Sequence, residues 1–155
     1  MPDLNLPDAG LRTTERDGKT VVYDPVRQKY VRLTPEERVR QTFLAYLTGV
    51  LNVPPGLVAV EQAVDVSGQT QRADLVVFDR HGRPLLLVEC KAPDVRIRQK
   101  TFDQSARYNA ALQAPYLVVT NGIDHYACRI DLDAHDYTFL DDLPDYETLL
   151  AKAAS

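Results

Sequence analysis

The sequence has no tryptophan, only two cysteines and no long apolar run, and the last two shortages each exclude a class of protein. Two cysteines, Cys90 and Cys128, do not make a disulfide-stabilised secreted domain, so we expect reduced thiols and a cytoplasmic location. Apolar runs such as Leu85–Val88 are far shorter than the ~20 residues that span a bilayer. The first residues also lack the basic-then-apolar order of a signal peptide, so no membrane is expected as a partner.

A basic excess is also missing, because the net charge is −4. The acids are concentrated in residues 131–155, which hold seven acids and one base. Residues 1–130 therefore carry +2, and residues 91–107 hold five bases against two acids. This local charge can attract phosphate groups although the whole chain is acidic; an ordinary solvated helix face is the alternative explanation.

The length of 155 residues and the hydrophobic content of 45% suffice for one packed domain. Residues 1–20 are polar and aperiodic and are predicted to form a mobile N-terminal arm. Residues 21–142 would form the domain, and residues 143–155 an acidic, helical tail. Gly18-Lys19-Thr20 is similar to the end of a phosphate-binding loop, but a strand-like run follows it where that loop needs a helix, so no nucleotide cofactor is expected.

Periodicity and turn residues predict the element order α-β-β-β-α-β-β after two short β segments. Thr34 as N-cap, Pro35 and Glu37 start a helix whose apolar residues repeat at three and four positions to about Leu51. A second helix is predicted over 96–112, and Tyr116–Thr120 is apolar throughout, as expected of a strand covered on both faces. We therefore predict an α/β fold, a single domain with a mixed central β-sheet flanked by helices.

Two predicted strands, Arg72–Asp79 and Pro84–Lys91, are expected to pair around a turn at His81-Gly82. Residues paired in this hairpin have numbers that sum to 163, so Asp74 lies opposite Glu89 with β-carbons about 4.5–5.5 Å apart. Alternation along the strand places Glu89 and Lys91 on one face and turns Cys90 away. The hypothesis is that Asp74, Glu89 and Lys91 converge at one end of an apolar hairpin.

Two opposed carboxylates among apolar side chains are costly without a cation between them. A divalent metal removes this cost, and two carboxylates can reach one Mg²⁺ at about 2.0–2.1 Å. The alternative is a structural salt bridge from Lys91 to one acid, which leaves the second acid unexplained. We therefore expect Asp74 and Glu89 to be metal ligands.

Three further polar residues are candidates for the same site. Gln104 and Tyr108 lie four residues apart on one face of the second helix, and the alternative explanation is a capping glutamine and a tyrosine that reaches solvent. Of the two acids at the start of the first helix, Glu36 and Glu37, we prefer Glu37 as an additional ligand, although acids in a first turn also complement the helix dipole.

These residues resemble a nuclease signature. Asp74…Glu89-Cys90-Lys91 is similar to the PD-(D/E)XK motif, with Ala73 in place of the motif's proline. Gln104-Ser105-Ala106-Arg107-Tyr108 is similar to the QxxxY element of RecB-like nucleases and type I restriction R subunits. Roughly residues 21–145 resemble stand-alone relatives of the R-subunit N-terminal domain. No helicase motor follows within the 155 residues, so translocation by this polypeptide alone is not expected.

The resemblance implies a restriction-endonuclease-like fold and Mg²⁺-dependent hydrolysis of DNA phosphodiester bonds, with Mn²⁺ able to substitute. The implied metal ligands are Asp74, Glu89, the backbone carbonyl of Cys90 and, as a further ligand, Glu37. Lys91, Gln104 and Tyr108 would position the water or the phosphate. The expected DNA contacts, which hold the backbone without reading bases, are made by basic residues: Arg40, Arg96, Arg98, Lys100 and Arg107.

Two other functions stay open at this point. A non-cleaving DNA-binding or assembly subunit of a restriction-type complex is favoured by the small size and the acidic tail. A structural protein that keeps only the fold is disfavoured by the intact site. A nuclease of restriction or DNA repair is the leading hypothesis, and its expected partners are DNA and either a second copy of the chain or another restriction-system subunit.

Overall fold

The computed structural model describes residues 2–134 and 136–154, which form one antiparallel sheet, one mixed sheet and three α-helices. Met1, which begins the predicted arm, and Ser155, which ends the predicted tail, lie outside the described residues. Strands β1 (Thr13–Arg16), β2 (Lys19–Asp24) and β3 (Lys29–Arg32) form a three-stranded antiparallel sheet.

A six-stranded mixed sheet forms the centre of the domain, as the sequence predicted. Its order is β4-β5-β6-β7-β8-β9, in which β6 and β7 run parallel and the other neighbours run antiparallel. The strands are β4 (Val58–Val66), β5 (Gln69–Phe78), β6 (Pro84–Cys90), β7 (Tyr116–Thr120), β8 (His125–Asp131) and β9 (Asp136–Leu140). The single-domain α/β prediction is confirmed, although β1 and β9 were not predicted.

The first helix, α1 (Pro35–Gly49), begins where its capping residues predicted. The Thr34 hydroxyl accepts a hydrogen bond from the Glu37 amide at 3.0 Å, and Pro35 occupies the first turn, where its missing N–H costs nothing. The second helix, α2 (Gln99–Leu112), begins three residues after the predicted start at Arg96. Residues 91–98 instead form a loop between β6 and α2.

Alternation along the central strands produces one apolar layer on each face of the sheet. Val39, Phe43 and Leu47 of α1 pack with Leu75 and other residues of β5, β6 and β7 on one face. Phe102 of α2 packs on the other face, against β-strand residues that include Val76, Leu87 and Leu117. The sheet is therefore covered on both faces by helices, which explains why its central strands are almost entirely apolar.

The predicted N-terminal arm is corrected, because it packs against the domain. The Asn5 amide donates to the carbonyl of Gly122 at 2.8 Å, and the Arg12 guanidinium lies 5.1 Å from the centre of the Tyr23 ring. Gly122 has φ of 86°, and a β-carbon there would lie 2.8 Å from the Leu4 side chain. The arm's polar sequence concealed this docking, which uses backbone bonds and a few apolar contacts.

The C-terminal tail is also part of the packed domain. Helix α3 (Tyr146–Ala153) buries Tyr146 and Leu149 in the core on the α1 side. The Tyr146 hydroxyl donates to the carbonyl of Phe78 at 2.9 Å. None of the three helices within the described residues combines the length and apolarity that crossing a bilayer requires.

Candidate active site

The pairing of β5 with β6 has the predicted register where it approaches the acids. Leu75 pairs with Val88 and Val77 with Leu86, so the sum of 163 holds in this part of the hairpin. The next residues along the two strands are Asp74 and Glu89. The prediction that brought two carboxylates to one end of the hairpin is therefore supported by the strand pairing.

The predicted loop of this hairpin is wrong. The Asp79 amide donates to the Arg83 carbonyl at 2.8 Å, and Phe78 pairs with Pro84, so Arg80 does not face Arg83. The Asp79 carboxylate accepts from the amides of His81 and Arg83, which favours a three-residue loop with Gly82 at φ of 79°. A shift in register between Val77 and Phe78 absorbs the difference.

Asp74 and Glu89 form a buried, interacting pair of carboxyl groups. Burial raises the pKa of Glu89 to about 8, and the negative charge of Asp74 adds to this rise. Burial also raises the pKa of Asp74, against the hydrogen bond from the Cys90 amide and the charge of Arg40. Two neighbouring carboxylates cannot both ionise cheaply in such a site, so the pair tends to retain a proton near neutral pH.

One oxygen of Glu89, Oε1, is buried and has no hydrogen-bond partner among the described residues. A buried polar atom left without a partner costs about 1–3 kcal/mol. The pair resembles a cation site in its donors, because hard cations prefer carboxylate and carbonyl oxygens. The described residues contain no group of three or more His, Cys, Asp or Glu side chains placed to hold a metal, so two carboxylates would need backbone or water oxygens beside them.

Lys91 lies beside the pair without forming an ion pair with it. Its charge lowers the pKa of both Asp74 and Glu89, which places its ammonium on their side of the strand. No ion pair within 4.0 Å joins Lys91 to either acid among the described residues. The alternative explanation, a structural salt bridge made by Lys91, is therefore not what the structure contains.

Arg40 is the cation that contacts Asp74, and its predicted role as a surface DNA contact is corrected. Its Nη1 lies 3.1 Å from Asp74 Oδ1, and only 7% of the residue is exposed. Its other nitrogens donate to Glu37 at 2.8 Å. The α1 stripe turns Arg40 inward with Val39 and Phe43, so a phosphate on the surface is out of its reach.

Glu37 is engaged elsewhere, and the structure does not bring it to the acid pair as a ligand. Arg40 and Arg27 both donate to its carboxylate, and against the effect of burial these bonds hold its pKa below the usual range. The pKa of Glu36 is affected by the pair. Burial is the main cause that raises this pKa and the charge of Asp74 adds to the rise, whereas Arg40 and Lys91 lower it. Glu37 therefore binds the two arginines, whereas the charge of Asp74 acts on the pKa of Glu36.

A chain of buried charges links the three-stranded sheet to Asp74. Asp24 is fully buried and accepts from Arg27 Nε at 2.6 Å, and Arg27 bonds Glu37, which in turn bonds Arg40. Sequence reasoning missed Asp24 and Arg27 because the network that they join extends to Glu37 and Gln41, ten or more residues away in the chain.

Glu61 is a further residue that the sequence did not indicate. Its carboxylate lies 3.3 Å from Arg27 and 3.4 Å from Arg40. The pairing of β4 with β5 is interrupted at Glu61 and Asp74, and Glu61 has φ of 54° within a strand. A non-glycine residue in this conformation is strained, and such strain concentrates at functional sites.

Tyr108 faces the acid pair from α2, whereas Gln104 is exposed one turn earlier. Burial raises the pKa of Tyr108, and the charges of Glu89 and Asp74 add to the rise. Its hydroxyl donates a short hydrogen bond to Gln71 of β5, a residue that sequence reasoning missed. The four-residue spacing predicted the shared face, but only the packing of α2 on the sheet placed Tyr108 beside Glu89.

The remaining basic candidates lie on the surface between β6 and the middle of α2. All four are exposed, and they are Arg96, Arg98, Lys100 and Arg107. Arg98 caps the start of α2 through its backbone amide, which donates to the Thr101 hydroxyl at 3.2 Å. These side chains are accessible to phosphate groups, unlike Arg40.

Comparison with known proteins gives one family and one fold. The family model described as Type I restriction enzyme R protein N terminus (HSDR_N) matches residues 35–144. A solved structure, the fragment structure of a putative HsdR subunit of a type I restriction enzyme from Vibrio vulnificus YJ016, is similar with a TM-score of 0.58 and 18% identity. The match covers 79% of this chain and 25% of that one, so this chain spans about a quarter of its length. No curated protein matches the chain.

Proposed function

Because the chain belongs to the family of type I restriction enzyme R protein N termini, we propose that it is a metal-dependent DNA nuclease of a restriction system, of the PD-(D/E)XK type. The observation that carries the proposal is the buried Asp74–Glu89 pair, whose Oε1 atom on Glu89 has no partner. The matched residues, 35–144, include every residue of this pair's surroundings except Asp24 and Arg27.

A divalent cation fits this pair. The cation would give Glu89 Oε1 a partner. The two carboxylates, whose repulsion contributes to the raised pKa of Glu89, would then both bind the cation. Asp74, Glu89 and the carbonyl of Cys90 would hold Mg²⁺, or Mn²⁺ in its place, with water completing the shell. Such a cation polarises a phosphoryl oxygen and lowers the pKa of bound water.

The chain's own residues would orient the substrate around that ion. Lys91 holds a positive charge beside the two carboxylates, where it stabilises the negative charge that develops on the phosphate. Tyr108 is fixed by its bond to Gln71 and, with Gln104, would orient the water or a phosphate oxygen. Arg40, bonded to both Asp74 and Glu37, fixes the Asp74 carboxylate in one orientation.

The exposed bases would bind DNA through its phosphates. Arg96, Arg98, Lys100 and Arg107 lie on the loop after Lys91 and on α2, so they extend from the acid pair along the surface. Contacts of this kind position a duplex or a strand and carry no sequence information. A second copy of the chain or another restriction-system subunit is the protein partner that the proposal includes.

A second candidate function is a non-cleaving DNA-binding or assembly subunit. It is favoured by one observation, the ion pair between Arg40 and Asp74. This ion pair already gives Asp74 Oδ1 a partner, and a metal would need a carboxylate oxygen of Asp74 as a ligand. Each carboxylate oxygen has two lone pairs, so this bond and metal ligation can coexist. The two candidates therefore differ in turnover rather than in which residues they use.

Cleavage of labelled single-stranded, duplex and branched DNA with and without Mg²⁺ tests the proposal. Asp74→Asn and Lys91→Met should each lower the cleavage rate at least about 100-fold, since the first weakens the hold on the cation and the second removes a positive charge beside the reacting phosphate. Lys29→Met, on exposed β3, is the matched control and should cut like wild type. Equal rates in wild type and Lys91→Met on every substrate would rule out the nuclease, and metal-dependent DNA binding without turnover would favour the second candidate.

A further inference from the structure

Four aromatic rings form a cluster between helix α2 and the outer strands β8 and β9, which we call the aromatic platform: Phe102, Tyr126, Tyr137 and Phe139. Phe102 is buried at the centre, and its ring centre lies 5.1 Å from that of Phe139 and 6.1 Å from that of Tyr126. The Tyr137 ring packs against Phe139 at 5.4 Å. Edge-to-face packing of this kind holds the rings in fixed orientations.

Two rings of the platform are open to solvent. Tyr126 is 40% exposed and Phe139 is 51% exposed, although both lie on the sheet face that α2 covers. Together with Ile97, Arg98 and Gln99 they line a cavity of about 230 Å³. A cavity of about 150 Å³ can hold a benzene ring, so this one has room for a nucleobase.

The surroundings of the cavity are positively charged at one end. Arg98 lines it, and Arg96 and Lys100 flank Arg98 in the sequence. The single acid in residues 96–103, Asp103, accepts a hydrogen bond from Gln99. Exposed aromatic faces beside arginine and lysine are the combination with which proteins bind single-stranded nucleic acid, because bases stack on the rings and phosphates meet the cations.

Helix α2 connects the platform to the acid pair. Tyr108 near its end bonds Gln71 of β5, whereas Gln99 at its start donates to the Tyr137 hydroxyl on β9 at 2.7 Å. The helix therefore crosses the sheet, and the nine residue steps from Gln99 to Tyr108 span about 14 Å. A strand of a few nucleotides is long enough to reach both ends.

We propose that the aromatic platform binds single-stranded DNA by stacking unpaired bases on Tyr126 and Phe139, with the phosphates on Arg98 and its neighbours. This inference rests on the proposed function, because it specifies how the nuclease would hold one strand leading to Asp74 and Glu89. The platform selects unpaired DNA, since bases within a duplex do not offer their faces to a protein ring. It recognises no sequence, because every base has a face that can stack.

Binding of a fluorescent single-stranded oligonucleotide to the full chain, in EDTA so that cleavage does not intervene, tests the platform. Phe139→Ala and Tyr126→Ala should each weaken binding about 5- to 150-fold, the range for losing one stacked base. Phe139→Leu should weaken it as much, because leucine is apolar but has no ring. Val50→Ala, which alters a residue 51% exposed elsewhere, is the control and should leave binding unchanged.

A second readout uses the absence of tryptophan from the chain. Phe139→Trp introduces one reporter, and its fluorescence should be quenched by an oligonucleotide with bases and not by an abasic strand of equal length. Equal binding of the abasic strand, or full binding by Phe139→Leu, would overturn the inference. Unchanged affinity in all variants would also overturn it, and would favour a protein strand at the β9 edge as the partner that covers the platform. Base-dependent binding in a chain that never cuts DNA would contradict the proposed function and keep the platform.

Discussion

At the scale of single residues, the site is a balance of buried charges. Asp74 and Glu89 repel each other in a medium that solvates them poorly, and burial is the main cause of the raised Glu89 pKa. The charges of Arg40 and Lys91 lower the pKa of Asp74, and the charge of Lys91 also lowers that of Glu89. The arrangement is costly for the folded protein, and costs of this kind are retained where they serve a site.

The raised Glu89 pKa predicts a stability that depends on pH. A carboxyl whose pKa rises from 4.5 to about 8 on folding stabilises the protein fully below pH 4.5 and loses this contribution as the pH rises to about 8. Without metal, the melting temperature of wild type should therefore fall across this range more than that of Glu89→Gln. Calorimetry in EDTA between pH 5 and 9 measures the difference.

The control for this experiment is Glu147→Gln. Glu147 is exposed, and its hydrogen bond with Arg80 lowers its pKa, so it titrates below the range measured. The melting temperature of Glu147→Gln, plotted against pH, should follow a curve parallel to that of wild type. If Glu89→Gln also gives a parallel curve, Glu89 does not carry the proton assigned to it.

Arg40→Ala should destabilise the protein strongly. It removes the cation bonded to Asp74 and one of the two arginines bonded to Glu37, and breaking a buried ion pair costs about 3–5 kcal/mol. Urea unfolding measures this free energy. Arg83→Ala is the matched control, because Arg83 is 74% exposed and its pair with Asp79 is worth at most about 1 kcal/mol; equal losses in the two variants would contradict the buried network.

At the scale of elements, each strand and helix positions one part of the site. The β5–β6 hairpin supplies Asp74, Glu89 and Lys91, α1 supplies the cation for Asp74, and α2 supplies Tyr108. Helix α3 supplies no site residue. Its buried residues, Tyr146 and Leu149, instead pack in the core together with α1, a structural role that the prediction of an acidic tail did not include.

Leu149→Ala in α3 should destabilise the domain by about 2–5 kcal/mol, because Leu149 is fully buried and its truncation leaves a cavity. Leu132→Ala, at a position 37% exposed, should change stability little. Thermal unfolding of both variants measures this. A small effect at Leu149 would contradict the packing of α3 and favour a loose C-terminal tail. Removal of such a tail should then make the basic surface more accessible to DNA.

At the scale of the whole molecule, the negative net charge and the proposed DNA binding are compatible because the bases are concentrated in one exposed segment of the sequence. The exposed bases lie on residues 96–107, and the acids of residues 131–147 lie mainly on β9 and the segments around it. We expect the affinity for DNA to fall with salt, with a slope set by the few phosphates that these bases neutralise. A slope near zero on log scales would exclude a DNA role.

The sequence by itself determined the features that depend on local periodicity. Thr34 and Pro35 fixed the start of α1, the apolar runs fixed the central strands, and the alternation of side chains set Asp74 against Glu89. Each of these follows from backbone geometry over a few residues, so neighbouring positions carry enough information. The register at the acids agreed with the prediction because the shift between Val77 and Phe78 compensates for the longer loop, and local periodicity did not predict that shift.

Only the tertiary structure decided which charges meet. Arg40 became the partner of Asp74 instead of a DNA contact, Glu37 bonded Arg27 and Arg40, and Gln71 fixed Tyr108. These contacts join residues that are distant in the chain, and they depend on how α1 and α2 rotate against the sheet. That rotation is set by packing across the whole core, which no short stretch of sequence specifies.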